Sequence, residues 1–299
     1  MRIAMDCVPC LLRQALTAAR FVTDDETSHR AALRGAMNEL LALTDDVTPA
    51  DVAAAVHRAV RETVACADPF YHHKEASNRV ALSLAETYRR AADQQEDPLR
   101  YLLALAAAAN VIDVGIKSGI DLQEALNGVV EGAFDFEDYP LFRERLEQVD
   151  RVLYLGDNAG EIVFDLLVVE RLRAMGKVVT FVVRDGPILN DVTGDDAALV
   201  GMDRVAEVIS SGCRSPGITL RLAEAAFRRR LERAPLVLSK GQGNYEGLSE
   251  ILAPVFFVLR AKCDVVARHL GVPLGTVTLR RGGAPFAQES SCGKGRDWV

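Results

Sequence analysis

Three polar turns, each placed directly after an apolar run, carry the residue types that metal-assisted phosphate chemistry uses. The first is Leu155-Gly156-Asp157-Asn158-Ala159-Gly160-Glu161. Its two glycines permit a tight turn, and it sets a carboxylate beside an amide oxygen. Hard cations such as Mg²⁺ or Mn²⁺ take oxygen ligands of this kind, often one or two carboxylates with water and a substrate phosphate. A helix starting after the turn offers free N–H groups to an anion. An Asp or Asn here also serves as a plain helix cap, and the motif alone divides evenly between the two readings. The second turn, Val183 to Thr193, contains Asn190-Asp191; its bland reading is an Asx turn. A carboxylate from each of two neighbouring loops would complete a cation site. Asp195 and Asp196 either stand behind those ligands or cap a helix starting near Ala197. The third, Lys240-Gly241-Gln242-Gly243-Asn244-Tyr245-Glu246, joins a lysine to two glycines, which suits a phosphate group. A lone Lys-Gly turn is common, and its place after a third apolar run is what lends it weight. Ser210-Ser211-Gly212 and Gly217 form a weaker loop of the same kind.

The first half of the chain adds fewer candidates. Asn110, Asp113 and Lys117 share one face of an otherwise apolar helical stretch, where they either tie helices together or look onto a cleft. Asp68 to Lys74 leads into a helix that carries Asn78, and this segment is expected to help cover the cleft. His72 and His73 are adjacent, so on a helix they point apart and make a poor joint ligand pair. Cys7-Val8-Pro9-Cys10 has the spacing of zinc and redox pairs. No second C-x-x-C or close Cys/His pair accompanies it, so two buried thiols at a helix start are expected.

The elements that must position these residues change character near residue 150. Residues 1 to about 146 read as helices throughout. Leu11, Leu12, Ala15, Leu16 and Ala19 recur at helical spacing. Thr23 to Glu26 supply a cap and first-turn acids, and Thr48 caps a helix with Pro49 at its first position. Further helices are expected over 74–92, 98–116 and 121–132. After Asp150, apolar runs at 151–155, 177–183, 236–239, 256–259 and 277–279 alternate with helical stretches. That alternation predicts a mostly parallel sheet covered on both faces, with ligands at the carboxyl ends of the strands near a switch in strand order. The fold class is therefore α/β: a three-layer α/β/α sandwich on a Rossmann-like sheet, residues 147–299, preceded by an all-helical domain, residues 1–146.

Composition excludes several function classes. The chain has 299 residues, a net charge of −7 and short basic runs only, which argues against binding to a nucleic-acid backbone. No stretch is long and apolar enough for a membrane span. The start lacks the apolar region of a secretion signal. Six cysteines in such a chain are expected to be reduced thiols in a cytoplasmic protein.

Five ordered motifs are Asp6-Cys7-Val8-Pro9-Cys10-Leu11-Leu12, Asn110-Val111-Ile112-Asp113, the Gly156 to Glu161 turn, Gly186 to Thr193 and Lys240 to Glu246. Together they make the chain resemble the metal-dependent damage-control phosphatase family, domain of unknown function 89, in its compact prokaryotic branch. The resemblance implies hydrolysis of small phosphate monoesters, sugar phosphates or damaged phosphometabolites, with one divalent cation (Mn²⁺, Mg²⁺, Co²⁺ or Ni²⁺). It implies cation ligands Asp157, Asn158 and Asp191. It implies substrate contacts from Glu161 and from Lys240, Gly241, Gln242, Gly243 and Asn244; on the cleft reading of their helix face, Asn110 and Asp113 join these as substrate contacts. Asp157, Asp191 and Lys240 are the expected catalytic residues. A metal-activated water ranks ahead of a covalent aspartate, because no Asp-x-Asp pair follows a strand. The competing functions are an S-adenosylmethionine-dependent carboxyl methyltransferase, a label attached to a related branch, and a non-catalytic phosphometabolite-binding protein.

Overall fold

The computed structural model describes residues 1–44, 46–109 and 134–282. Helices α1 (Cys7–Arg20), α2 (Glu26–Leu41) and α3 (Pro49–Thr63) come first. The expected caps are present. The Asp25 carboxylate accepts from the Thr27 and Ser28 amides, and Thr48 forms a reciprocal capping box with Asp51, satisfying N–H groups that have no partner inside a helix. The three helices enclose their own apolar cluster, around Leu11, Ala15, Ala32, Val56 and Val60. Next come α4 (Tyr71–Asp93) and α5 (Pro98–Ala108). The stretch expected to run on from α5, with Asn110, Asp113 and Lys117, lies outside the described residues, as does the helix expected over 121–132.

A seven-stranded sheet follows. Its elements in chain order are β1 (Phe134–Asp135), α6 (Tyr139–Gln148), β2 (Arg151–Leu155), α7 (Glu161–Ala174), β3 (Val178–Val183), α8 (Gly194–Val200), β4 (Glu207–Ser210), α9 (Ala225–Arg233), β5 (Val237–Lys240), α10 (Gln242–Leu248), β6 (Val255–Arg260), α11 (Asp264–Leu270) and β7 (Val277–Gly282). The strand order is β1-β7-β6-β5-β2-β3-β4. Every pair is parallel except β6 with β7. Successive strand residues face opposite sides. Val152, Tyr154, Phe256 and Val258 belong to a core shared with α4, α5, α6 and α7, while Leu153, Leu155, Phe257 and Leu259 belong to a second core with α9 and α10. Helices thus cover both faces, as expected. Helix α7 is apolar on nearly every side (Ile162, Val163, Phe164, Leu167, Val168) because it lies between the sheet and α4–α5.

Two strands escape the sequence pattern. β1 falls inside the stretch read as helical throughout, but its two residues pair with Val277 and Thr278. β4 is a four-residue edge strand with exposed ends, too short and too polar to stand out. Among the described residues no helix is long and apolar enough to cross a membrane.

One buried group of the helical layer ties stability to pH. His57 on α3 is 2% exposed, and its Nε2 lies 3.3 Å from Gln14 Oε1. Burial, helped by Arg61, lowers its pKa to about 3. The unfolded chain takes up this proton near pH 6.5 and the folded chain does not. The contribution is therefore complete above that pH and is lost as pH falls toward 3, at up to about 1.4 kcal/mol per pH unit. His57→Gln is expected to flatten this part of the profile. Denaturant midpoints between pH 7 and 4 that shift equally in both proteins would refute it.

Candidate active site

The switch in strand order lies between β2 and β5: the chain leaves β2 toward β3 on one side and returns to place β5 on the other. The turns after these strands therefore diverge and leave a crevice. Residues 157–159 after β2 and 190–192 after β3 are zipped together by their backbones. The Val192 amide donates to the Asp157 carbonyl (2.8 Å), the Ala159 amide donates to the Asn190 carbonyl (2.8 Å), and Asn158 and Asp191 form an antiparallel bridge. This zipper sets Asp157, Asn158 and Asp191 side by side, as their place in two adjacent loops predicts.

Their side chains form a buried network. Asn158 Nδ2 donates to Asp157 Oδ2 (2.7 Å) and to Glu161 Oε1 (3.1 Å). Beneath them lies Arg184, 1% exposed. Its Nε donates to Asp191 Oδ2 (2.8 Å), and its Nη2 is 3.7 Å from Asp157 Oδ1. Asp191 Oδ2 also accepts from the Gly217 amide (3.2 Å), while Oδ1 accepts no hydrogen bond from the described residues and the residue borders the cleft. Burial, then Glu161 and Asp191, push the Asp157 carboxyl well above the usual range, against the pull of Lys262 and Arg184. Burial likewise raises Asp191, with Arg184 opposing.

The fold places Lys240 differently from the expected phosphate-facing cation. It is fully buried, and its Nζ contacts Asp165 Oδ1 (2.8 Å), the Ala106 carbonyl (3.0 Å) and Glu161 Oε2 (3.4 Å). Burial disfavours its charge, but Asp165 and Glu161 outweigh that and raise its pKa. Asp165 also accepts from the Tyr154 hydroxyl (2.6 Å), and its Oδ2 has no hydrogen-bond partner among the described residues. Asp157, Glu161, Asp165 and Asp191 are thus buried with Arg184 and Lys240. Among the described residues, four buried carboxyl groups here face two buried cations.

The rest of the Lys240 loop divides between the network and the cleft. Gly241 has φ +81°, and a Cβ there would lie 1.9 Å from Asp157 Oδ2. Asn244 is buried. It accepts from the Ile218 amide (2.8 Å) and donates to the Gly156 carbonyl (3.0 Å) and the Lys240 carbonyl (2.7 Å), so it laces three loops together. Gln242 and Gly243 line a cleft of about 1100 Å³ that also exposes Asp157, Asn158 and Asp191. Its other side is built by α1 and the start of α3.

Several expected placements change. Cys7 and Cys10 are not buried: Cys7 is half-buried, Cys10 is exposed, and both line the cleft with Cys263. Of the two readings of Asp196, the cap holds. It forms a capping box with Thr193 on α8, and it also accepts from Lys74 (2.9 Å) and Asn78 (3.1 Å). The segment 68–74 does not line the cleft, and Lys74 is a buried partner of Asp196 and Asp68.

Residues that sequence reasoning left without a role are Arg184 and Asp165. A charged residue at the carboxyl end of a buried strand marks Arg184, as it does Lys240. A lone acid inside the apolar run of α7, one turn after Glu161, marks Asp165. Asn78 Oδ1 accepts from the Gly160 amide (2.7 Å) while its Nδ2 donates to Asp196. Asn78→Ala leaves both buried groups without that partner. It is expected to cost about 1–3 kcal/mol in chemical denaturation; a cost below ~0.5 kcal/mol would show that the turn does not depend on α4.

With oxygen donors on two zipped loops, carboxyl groups that outnumber the cations buried with them among the described residues and a cleft above them, relatives become informative. A crystal structure of a DUF89 family protein from Pyrococcus horikoshii superposes with a TM-score of 0.86 at 29% identity, covering 94% of this chain and 99% of that one. A damage-control phosphatase of Archaeoglobus fulgidus is 32% identical, covering 94% and 99% of the two chains. One of Pyrococcus horikoshii is 30% identical, covering 94% and 98%. An uncharacterized protein of Methanocaldococcus jannaschii is 33% identical, covering 94% and 96%. The damage-control phosphatase ARMT1-like domain matches residues 3–277, so the chain belongs to the DUF89 damage-control phosphatase family.

Proposed function

We propose that this protein is a divalent-cation-dependent phosphatase acting on small phosphate monoesters, sugar phosphates or damaged phosphometabolites. The observation that carries the reading is the excess of buried carboxyl groups over buried cations, among the described residues, where Asp157, Asn158 and Asp191 border the cleft. Among the described residues no three His, Cys, Asp or Glu side chains converge into a ready metal cage. The donor set is two carboxylates and an amide, which suits a cation that keeps water and takes substrate oxygen. Those three residues would hold the cation, which when bound supplies charge to polarise the phosphoryl group and acidify a water. Mn²⁺, Mg²⁺, Co²⁺ and Ni²⁺ all suit such ligands.

The chain's own residues do the rest. Arg184 and the Gly217 amide fix Asp191 by one oxygen and leave the other toward the cleft. Glu161 fixes the Asn158 amide group, so its carbonyl oxygen is the atom left to bind. Lys240 neutralises Glu161 and Asp165 from below. The relatives' names support ester hydrolysis over methyl transfer. The test is hydrolysis of a phosphate-ester panel with and without added Mn²⁺, Co²⁺, Ni²⁺ or Mg²⁺. Turnover that needs a cation and disappears in Asp157→Ala and Asp191→Ala is expected. Undiminished cation-dependent turnover in both variants would sink the assignment.

A further inference from the structure

Cys7 and Cys10 play no part in the proposed hydrolysis, yet both line the cleft. They are the first and fourth residues of α1. At that spacing a helix sets the two Cα atoms about 5 Å apart, within the range that a disulfide spans. The Cβ atoms, roughly 5–6 Å apart in a regular helix, must close by about 1–2 Å. Little holds the first turn of α1 regular. Asp6 gives it no side-chain cap, whereas Asp25 and Thr48 cap α2 and α3. Pro9, inside that turn, has no N–H to donate.

The surroundings of the pair favour exchange with a small disulfide. Cys10 is exposed, Cys7 is half-buried, and the cleft beside them, about 1100 Å³, has room for a tripeptide thiol. Cys10 Sγ accepts from Gln14 Nε2 (3.6 Å), and Gln14 Oε1 faces His57 Nε2 (3.3 Å). Cys263, the third thiol of the cleft, stands on the sheet side and accepts from Gln242 Nε2 (3.5 Å). Among the described residues no three side chains converge into a metal cage here, so the geometry suits a dithiol rather than a zinc site. Burial raises the pKa of both α1 thiols, and Glu246 and Cys263 add to it. The reduced pair therefore lacks the stabilised thiolate that makes some C-x-x-C disulfides strong oxidants.

We propose that Cys7 and Cys10 form a reversible dithiol–disulfide site that exchanges with low-molecular-weight disulfides entering the cleft. The exposed Cys10, as its thiolate, attacks one sulfur of the incoming disulfide. A bond forms from Cys10 Sγ to that sulfur, the small molecule's S–S bond breaks, and one small thiolate leaves. Cys7, as its thiolate, then attacks Cys10 Sγ. The Cys7–Cys10 bond forms and the second small thiolate leaves. The two leaving thiolates take up the protons that the two protein thiols release. The pair is thereby oxidised, and the small disulfide is reduced to two thiols. A small dithiol such as dithiothreitol reverses the sequence.

This site stands or falls independently of the phosphatase reading, because its test reads thiols and not turnover. The folded wild-type chain is held in oxidised glutathione, quenched with acid, denatured, alkylated and mapped by mass spectrometry. Alkylation is expected to be lost at both Cys7 and Cys10, with a disulfide inside the peptide they share. Dithiothreitol is expected to restore both thiols. Cys263 is expected to stay open to alkylation, and Cys263→Ser to close the pair as wild type does. Cys7→Ser removes the second attacking thiol, so it is expected to stall with glutathione on Cys10. Retained alkylation at Cys7 and Cys10 in wild type would overturn the proposal. A bond from either of them to Cys263 would do the same, as would Cys7→Ser protein that carries no glutathione on Cys10.

Discussion

Asp191→Asn is expected to lower cation-dependent phosphatase turnover by about 100-fold or more while leaving the fold in place. Even hydrogen-bonding partners of metal ligands change affinity or activity by roughly 10- to 100-fold, and in the proposed function Asp191 is itself a ligand. The substitution keeps the side chain's size and removes one charge. Two stability terms then oppose each other. Arg184 loses its charged partner at 2.8 Å, and breaking a buried pair costs up to about 3–5 kcal/mol. Against this, Asp157 loses a like-charged neighbour that pushes its pKa up, and Arg184 still has Asp157 at 3.7 Å. Because these terms cancel in part, the net change is expected to stay below about 3 kcal/mol. Denaturant titration beside kinetics across an Mn²⁺ series separates the two. Wild-type turnover at saturating Mn²⁺ would show that Asp191 is not a ligand.

Gly241→Ala is expected to disable the site from the other side. A methyl group at this position would lie within 2.1 Å of the Asp157 carboxyl carbon, and the backbone sits at φ +81°. Both facts demand movement. Positive φ costs a non-glycine residue about 1–2 kcal/mol, and the carboxylate must leave its place beside Asn158. A displacement near 1 Å in a reacting array can cost about 100-fold in rate. Turnover is thus expected to fall by about that factor, with a loss of stability of about 1–3 kcal/mol. Gly176→Ala is the control: it has φ +80° and nothing within 4 Å of the added methyl. Equal losses of activity in both variants would mean that backbone strain, not the clash with Asp157, is responsible.

Most of the sheet was readable because buried parallel strands are short apolar runs that end at polar, glycine-bearing turns, and 151–155 and 178–183 are such runs. β4 and β1 were not, since an edge strand and a two-residue strand owe their existence to a partner far away in the chain. The side-by-side placement of Asp157, Asn158 and Asp191 followed from strand alternation and adjacent loops. The depth of each side chain did not. Lys240 and Lys262 both sit at or just beyond strand ends, yet one is fully buried and the other exposed. The difference is Asp165, a single acid on α7 that draws the Lys240 ammonium inward. Cys7 and Cys10 were misplaced for a related reason: helical periodicity locates the buried stripe of α1 at Leu11, Ala15, Ala18 and Ala19, but does not say that the neighbouring face borders a cleft.

The separate apolar cluster of α1–α3 has a consequence for how this protein can diversify. The carboxylate floor is anchored in the sheet's cores, whereas the opposite bank of the cleft is anchored among the helices. Exchanges at Arg13, Gln14, Ala50 or Ala53 on that bank leave the sheet's packing untouched. Mutation and selection can therefore retune which molecules are admitted at one tempo while the carboxylate floor stays almost constant, so lineages that share the same acids can come to accept different ligands.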